Sequence, residues 1–196
     1  MSPPRVTALD PSGYRRTPWK NGNGVAIDIA GASRPGSKPG EWSGTLWRFG
    51  RTKIETAAPF SDLTGFDRLQ MVVAGRGLVL QTPTGEIDVR EPFVPVRFDG
   101  ETAILSRLES GPVEVVNLIA DRSYAAIDLA LLPAKSPGHL GRGIHVFYAA
   151  LEACALRCEG ARYELAAGHA LRIDCDSAVV FEGLVGCSLV GSVFPA

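Results

Sequence analysis

The chain of 196 residues is 45% hydrophobic, enough to bury a substantial core in one large all-β domain or two small ones. Its formal net charge of -1, with basic residues scattered rather than gathered into a stripe, removes any global electrostatic case for nucleic acid as a partner. No apolar run approaches the ~18 residues of a membrane span, and Met1-Ser2-Pro3-Pro4-Arg5 lacks the apolar core of a signal peptide, so a soluble cytoplasmic protein with no membrane partner is expected.

Residues 1 to 18 carry Pro3, Pro4, Pro11 and Pro18, which argue against a long helix. Pro18-Trp19-Lys20-Asn21-Gly22-Asn23-Gly24 reads as a loop, because its glycines and asparagines tolerate left-handed backbone angles; the alternation of Val25, Ile27 and Ile29 then reads as a strand. A Gly/Pro/Ser-rich insert covers residues 31 to 40, and strand pattern resumes from Thr45 to Ile54. Pro59 to Leu80 is the most informative stretch. Two β-rich runs flank Gly75-Arg76-Gly77 and predict a hairpin. The connector before it is not an ordinary polar one: it holds two phenylalanines, a proline and Asp67-Arg68, as a shaped loop at a pocket mouth would.

From Leu69 onward strands and turns alternate at the short spacing of a β sandwich or barrel. A short helix is predicted around Ser123 to Leu132, ahead of a linker from Pro133 to Gly143. Beyond it the pattern repeats at an offset of about 75 residues. Val96-Arg97-Phe98-Asp99 matches Leu171-Arg172-Ile173-Asp174, Gly85 matches Gly160, and Gly111 matches Gly186. A duplicated unit of antiparallel strands, forming paired jelly-roll barrels, is the expected fold. The expected divisions are 1–122, a linker at 123–143, and 144–196. Cys154, Cys158, Cys175 and Cys187 sit at apolar-patterned positions and read as buried free thiols without disulfides.

Metal chemistry finds little support. There is no His-x-His, His139, His145 and His169 are spread along the chain, and Cys154 and Cys158 stand about 13 Å apart on a strand. No cofactor is expected. Ser61 has no nearby histidine as a base and reads as a turn serine, and the carboxylates Asp67, Glu86, Asp88, Asp99 and Glu101 read mainly as turn or solvated strand residues. Anion recognition is better supported: Lys20 and Arg48 each follow a tryptophan, and Arg68 follows Asp67 in the phenylalanine-bearing loop. Guanidinium binds a carboxylate bidentately while a ring covers its apolar part. The plainer alternative is that Asp67-Arg68 is a structural ion pair and that Trp19 and Trp47 are core.

The blocks Trp19-Lys20-Asn21-Gly22-x-Gly24, Trp47-Arg48, Pro59-Phe60-Ser61-x-x-x-Gly65-x-Asp67-Arg68, Gly75-x-Gly77, Phe98-Asp99-Gly100 and Leu108-x-x-Gly111, followed by Asn117 and Arg122, resemble the HutD/Ves family over residues 14 to 122. The resemblance implies a bicupin fold. It also implies an association with histidine utilisation, with no firmly established enzymatic activity, and binding of a small acid such as N-formylglutamate or urocanate that moderates flux. The positions carried over are Lys20, Asn21, Arg48, Phe60, Ser61, Asp67, Arg68, Asn117 and Arg122. The chain departs from the family pattern at Gly22-Asn23-Gly24, at Val115-Val116 and around Phe49-Gly50-Arg51.

Three functions compete at this level. The leading one is a small-carboxylate sensor in which Arg68 grips the carboxylate, Arg48 or Lys20 a second polar group, Asn21 and Asn117 supply amide hydrogen bonds, and Phe60 forms a wall. The second is a metal-independent enzyme acting on an amino-acid-derived acid, with Asp67 or Lys20 carrying the proton. The third is an interaction module. A homodimer is expected under each, since antiparallel barrels with apolar edges commonly pair.

Overall fold

The computed structural model describes residues 3–19, 25–38 and 40–196. In chain order its strands are β1 (Arg5–Leu9), β2 (Arg15–Pro18), β3 (Val25–Ser33), β4 (Thr45–Ile54), β5 (Phe66–Ala74), β6 (Leu78–Thr82), β7 (Gly85–Val89), β8 (Val96–Asp99) and β9 (Leu105–Leu108). Then follow β10 (Val113–Asp121), β11 (Ala125–Leu132), β12 (Pro137–Leu140), β13 (Gly143–Tyr148), β14 (Cys154–Cys158), β15 (Ala161–Leu165), β16 (Ala170–Cys175), β17 (Val179–Val185) and β18 (Ser188–Pro195). Every registered pairing is antiparallel, and the only helical pieces among the described residues are two single 3-10 turns, Pro11–Gly13 and Trp42–Gly44.

The chain divides into two compact units, one of Arg15–Ile127 with Ala196 and one of Met1–Tyr14 with Asp128–Pro195. The first holds a six-stranded sheet in the order β2-β3-β4-β10-β5-β8 and a three-stranded sheet in the order β7-β6-β9. Ile54, Val72, Leu78, Leu80, Phe98, Val113 and Val115 form its hydrophobic cluster. The second holds β1-β16-β13-β18-β11 and β12-β17-β14-β15, with a cluster that includes Phe147, Leu156, Leu165, Leu171, Ile173 and Val190. The neighbour relations β10-β5-β8 and β7-β6-β9 recur as β18-β13-β16 and β15-β14-β17, in the same chain order. In neither unit do the strands close into a single continuous ladder.

Turn chemistry explains much of this. Gly75 and Gly77 sit at φ +75° and +82° between β5 and β6, and a Cβ on Gly75 would lie 2.5 Å from the Pro112 carbonyl oxygen. A side chain there would both strain the backbone and collide with it. Glu159 and Gly160 close the β14–β15 hairpin with two successive positive φ angles, the geometry that matches strand twist in a two-residue loop.

Three expectations are corrected. Residues 125–132 form a strand, not a helix: Ala125, Ile127 and Leu129 are buried while Ala126, Asp128 and Ala130 are exposed, a period of two that pairing beside β18 enforces over the helix propensity of alanine and leucine. The linker at 123–143 therefore contains β11 and β12. Residues 1–14 belong with the second unit, because β1 pairs along β16 from Arg5 opposite Asp174 to Leu9 opposite Ala170. Cys154, Cys158 and Cys175 are buried free thiols, but Cys187 is exposed.

Candidate functional site

Strand alternation builds the site on one face of the six-stranded sheet. Asp28 on β3 stands opposite Gly50 on β4, Gly50 opposite Asn117 on β10, and Asn117 opposite Gln70 on β5, giving a polar row across four strands. In the next row Ile119 on β10 lies between Arg48 on β4 and Arg68 on β5, and Arg68 is paired in turn with Phe98 on β8. These rows floor a cavity of about 510 Å³, walled by Trp19, Trp42, Phe60 and Leu63. A volume of that size suits a small molecule.

Two loops shape the walls. Phe60 N–H donates to Ile104 O at 2.8 Å and Leu63 N–H to Gly100 O at 2.9 Å, which fixes the Pro59–Leu63 segment over the sheet. A Cβ on Gly100 would come within 2.1 Å of the Leu63 carbonyl oxygen, so this approach requires glycine. Opposite, Trp42 is carried by the Trp42–Gly44 turn, which Arg34 N–H (to Gly44 O, 2.7 Å) and Thr45 Oγ1 (to Glu41 O, 2.8 Å) hold in place.

The two arginines have different electrostatic fates. Arg48 donates through Nε (3.2 Å) and a terminal nitrogen to Asp28 Oδ1, and its guanidinium carbon lies 4.5 Å from the Trp42 ring centroid. The other Asp28 oxygen accepts from Thr17 Oγ1 at 2.8 Å and Arg15 Nε at 3.3 Å. Arg68 has no such partner. Its guanidinium carbon lies 5.0 Å from the ring centroids of both Phe60 and Phe98, it is 8% exposed, and among the described residues it meets no carboxylate and no hydrogen-bond acceptor. Burial lowers its pKa to about 10, so the group stays charged at neutral pH. Beside it Gln70 Nε2 donates to Asn117 Oδ1 at 3.1 Å, while Gln70 Oε1 is buried without a partner.

Of the residues expected from the sequence, Arg48, Phe60, Ser61, Arg68 and Asn117 line this one cavity. Lys20 and Asn21 lie outside the described residues. Asp67 and Arg122 do not line it. Alternation turns Asp67 to the sheet face opposite Arg68, where it pairs with Arg122 at 2.6 Å and Arg97 at 3.5 Å. Arg122 is exposed and also pairs with Glu101 and Asp99; its hydrogen bonds hold the Glu101 carboxyl below the usual range. The proposed Asp67-Arg68 ion pair is absent, because neighbours on a strand point to opposite faces. Sequence reasoning missed Asp28, Trp42 and Gln70. Asp28 and Gln70 read locally as polar strand residues, and only the cross-strand register brings them to the cavity.

Among the described residues no group of three His, Cys, Asp or Glu side chains could hold a metal ion, and no helix is long and apolar enough to cross a membrane. His145 is buried between Ser192 Oγ (2.9 Å) and Gly141 O (3.0 Å), whereas His169 lies 3.7 Å from Asp10.

The HutD family model matches residues 11–187. The chain belongs to the HutD family. A Pseudomonas putida relative, described as an uncharacterized 21.2 kDa protein in the hutC 3' region, is 32% identical over 114 residues, which is 58% of this chain. The match spans 57% of that relative's length. Among solved structures, a conserved protein of unknown function from Pseudomonas aeruginosa shares 22% identity and a TM-score of 0.83, with 97% of this chain and 98% of that one covered. HutD from Pseudomonas fluorescens, solved in a formate condition, shares 22% identity and a TM-score of 0.79, covering 98% and 100%. The fold these proteins share is all-β and antiparallel in this chain.

Proposed function

We propose that this HutD-family protein is a bicupin, two jelly-roll units written on one duplicated strand plan, that binds a small carboxylate in its Arg15–Ile127 unit and serves a regulatory or sensing role in histidine catabolism. The observation that carries the reading is Arg68. A buried cation with no partner is costly, and natural proteins keep one where a ligand supplies the missing charge. A carboxylate meets the guanidinium fork with two parallel hydrogen bonds, and the Phe60, Trp19 and Trp42 rings cover the apolar remainder of a small acid. N-formylglutamate and urocanate are the leading ligands. The description of the P. putida relative, which lies in the hutC 3' region, supports a place in histidine utilisation.

The enzymatic alternative draws no support from Asp67, which is engaged by Arg97 and Arg122 on the far face of the sheet. The test is a melting-temperature series with N-formylglutamate, urocanate and glutamate on the full chain and on Arg68→Ala. A ligand at 100 times its Kd stabilises by about 2.7 kcal/mol, and the substitution abolishes that gain. A flat response to every acid, with Arg68→Ala behaving as the native chain, rejects the reading.

A further inference from the structure

We infer that the cavity has a second, apolar subsite, which takes the tail of an amphipathic acid: with its carboxylate on Arg68, the ligand runs along β4 past Gly50 to an end walled by Trp19, Ala26, Thr52 and Ile54. The inference rests on the carboxylate-binding reading of the same cavity and adds the class of acid.

Its basis is how the floor changes along β4. Arg48, Gly50, Thr52 and Ile54 all line the cavity, because alternate residues of a strand share a face. From Arg48 to Ile54 the chain advances about 20 Å at the rise of a strand. The charges sit at the first end, where Ile119 joins Arg48 and Arg68 in one row. Gly50 leaves the middle of the floor without a side chain. Beyond it the cross-strand neighbours turn apolar: Thr52 stands opposite Ala26 on β3 and Val115 on β10, and Ile54 opposite Val113.

Trp19 closes this second end. Pro18 pairs with Val25, and Ala26 with Thr52, so Trp19, the residue after Pro18, lies towards Ile54 and away from Arg48. It packs against the hydrophobic cluster that contains Ile54. Among the described residues, none of those that line this end carries a charge. The volume agrees with a longer occupant, since about 510 Å³ is the room of about 17 waters, far more than a carboxylate on Arg68 displaces. A short polar acid leaves the Trp19 and Ile54 end facing water. An alkyl or aryl tail removes that apolar surface from water and lies flat against the indole.

The test is a series of straight-chain carboxylates from butanoate to octanoate, titrated calorimetrically into the full chain. Affinity is expected to rise about 2- to 4-fold for each added methylene, the worth of its partial or full burial. Octanoate is then at least 10-fold tighter than butanoate. Thr52→Phe keeps a good strand former and fills the passage, so it is expected to bring the two acids within about 2-fold of each other. The readout is the ratio of the two affinities in one protein, which a general loss of binding does not move. Equal binding of the two acids to the native chain overturns the inference, a comparison that requires no variant to fold. So does an unchanged ratio in Thr52→Phe, or octanoate binding to Arg68→Ala as tightly as to the native chain, since the tail then binds elsewhere. If butanoate binds and the longer acids gain nothing, the carboxylate-binding reading stands without this subsite. If no acid of any length binds and the thermal series is also flat, both fall.

Discussion

Arg48 and Arg68 share one row of the six-stranded sheet, each directly opposite Ile119 on β10, yet Arg48 is neutralised by Asp28 and Arg68 by nothing in the described chain. The floor of the cavity thus holds one settled ion pair and one open charge. Arg68→Met fills the same space without charge and removes a desolvation cost, so the ligand-free protein is expected to gain stability on the order of 1 kcal/mol. The same variant loses the response to carboxylates. Urea unfolding with and without ligand checks both halves.

Asp28 behaves in the opposite way. Its two oxygens serve Arg48, Thr17 and Arg15, and both Asp28 and Arg48 are 9% exposed. Asp28→Ala strands the Arg48 guanidinium in the cavity floor and is expected to cost about 3 kcal/mol. Asp28→Ala with Arg48→Met is expected to recover most of that loss, and a double-mutant cycle in urea reads the coupling.

Gly100 is the contact that sets the Pro59–Leu63 wall. With the Leu63 carbonyl oxygen 2.1 Å from where a Cβ would be, Gly100→Ala pushes the wall outward. The expected cost is about 1–3 kcal/mol, the range for overpacking a close contact. Carboxylate affinity is expected to fall with it, because Phe60 moves off Arg68.

His145 gives the Met1–Tyr14 and Asp128–Pro195 unit its acid sensitivity. Burial lowers its pKa from 6.5, against weaker opposing effects of the Gly141 carbonyl and Asp174. Because Gly141 O can only accept, Nε2 carries the proton and Nδ1 accepts from Ser192. Below pH 6.5 the unfolded chain takes up a proton that the folded one refuses, so stability is full above 6.5 and falls as pH drops towards the folded value. The melting temperature of the native chain is expected to decline between pH 6.5 and the carboxylate range near 4.5, and that of His145→Gln to stay flatter there.

Local chemistry made part of this molecule legible. Gly75 and Gly77 announced their hairpin, and aromatic-cation neighbours pointed to Arg48, Phe60 and Arg68, because turn backbone and strand alternation are short-range properties. What escaped was long-range. β11 carries a period of two, but its alanines and leucines also suit a helix, and only the neighbouring β18 decides between them. Asp28 and Gln70 became cavity residues through pairings across strands far apart in sequence. Asp67 was grouped with Arg68 as its neighbour in the chain and Arg122 through the family motif, and the pleat turns Asp67 to the opposite face, where it meets Arg122.

The pairing of β1 with β16 bears on how the protein is made. Arg5–Leu9 leave the ribosome well before Ala170–Asp174 and find no β16 to dock on until those residues have been synthesised. Strands β2 to β10 find their sheet partners among themselves, well before then. The Arg15–Ile127 unit can therefore assemble while translation continues, whereas Arg5–Leu9 stay loose until β16 has emerged, exposed in the interval to proteases and to wrong strand partners.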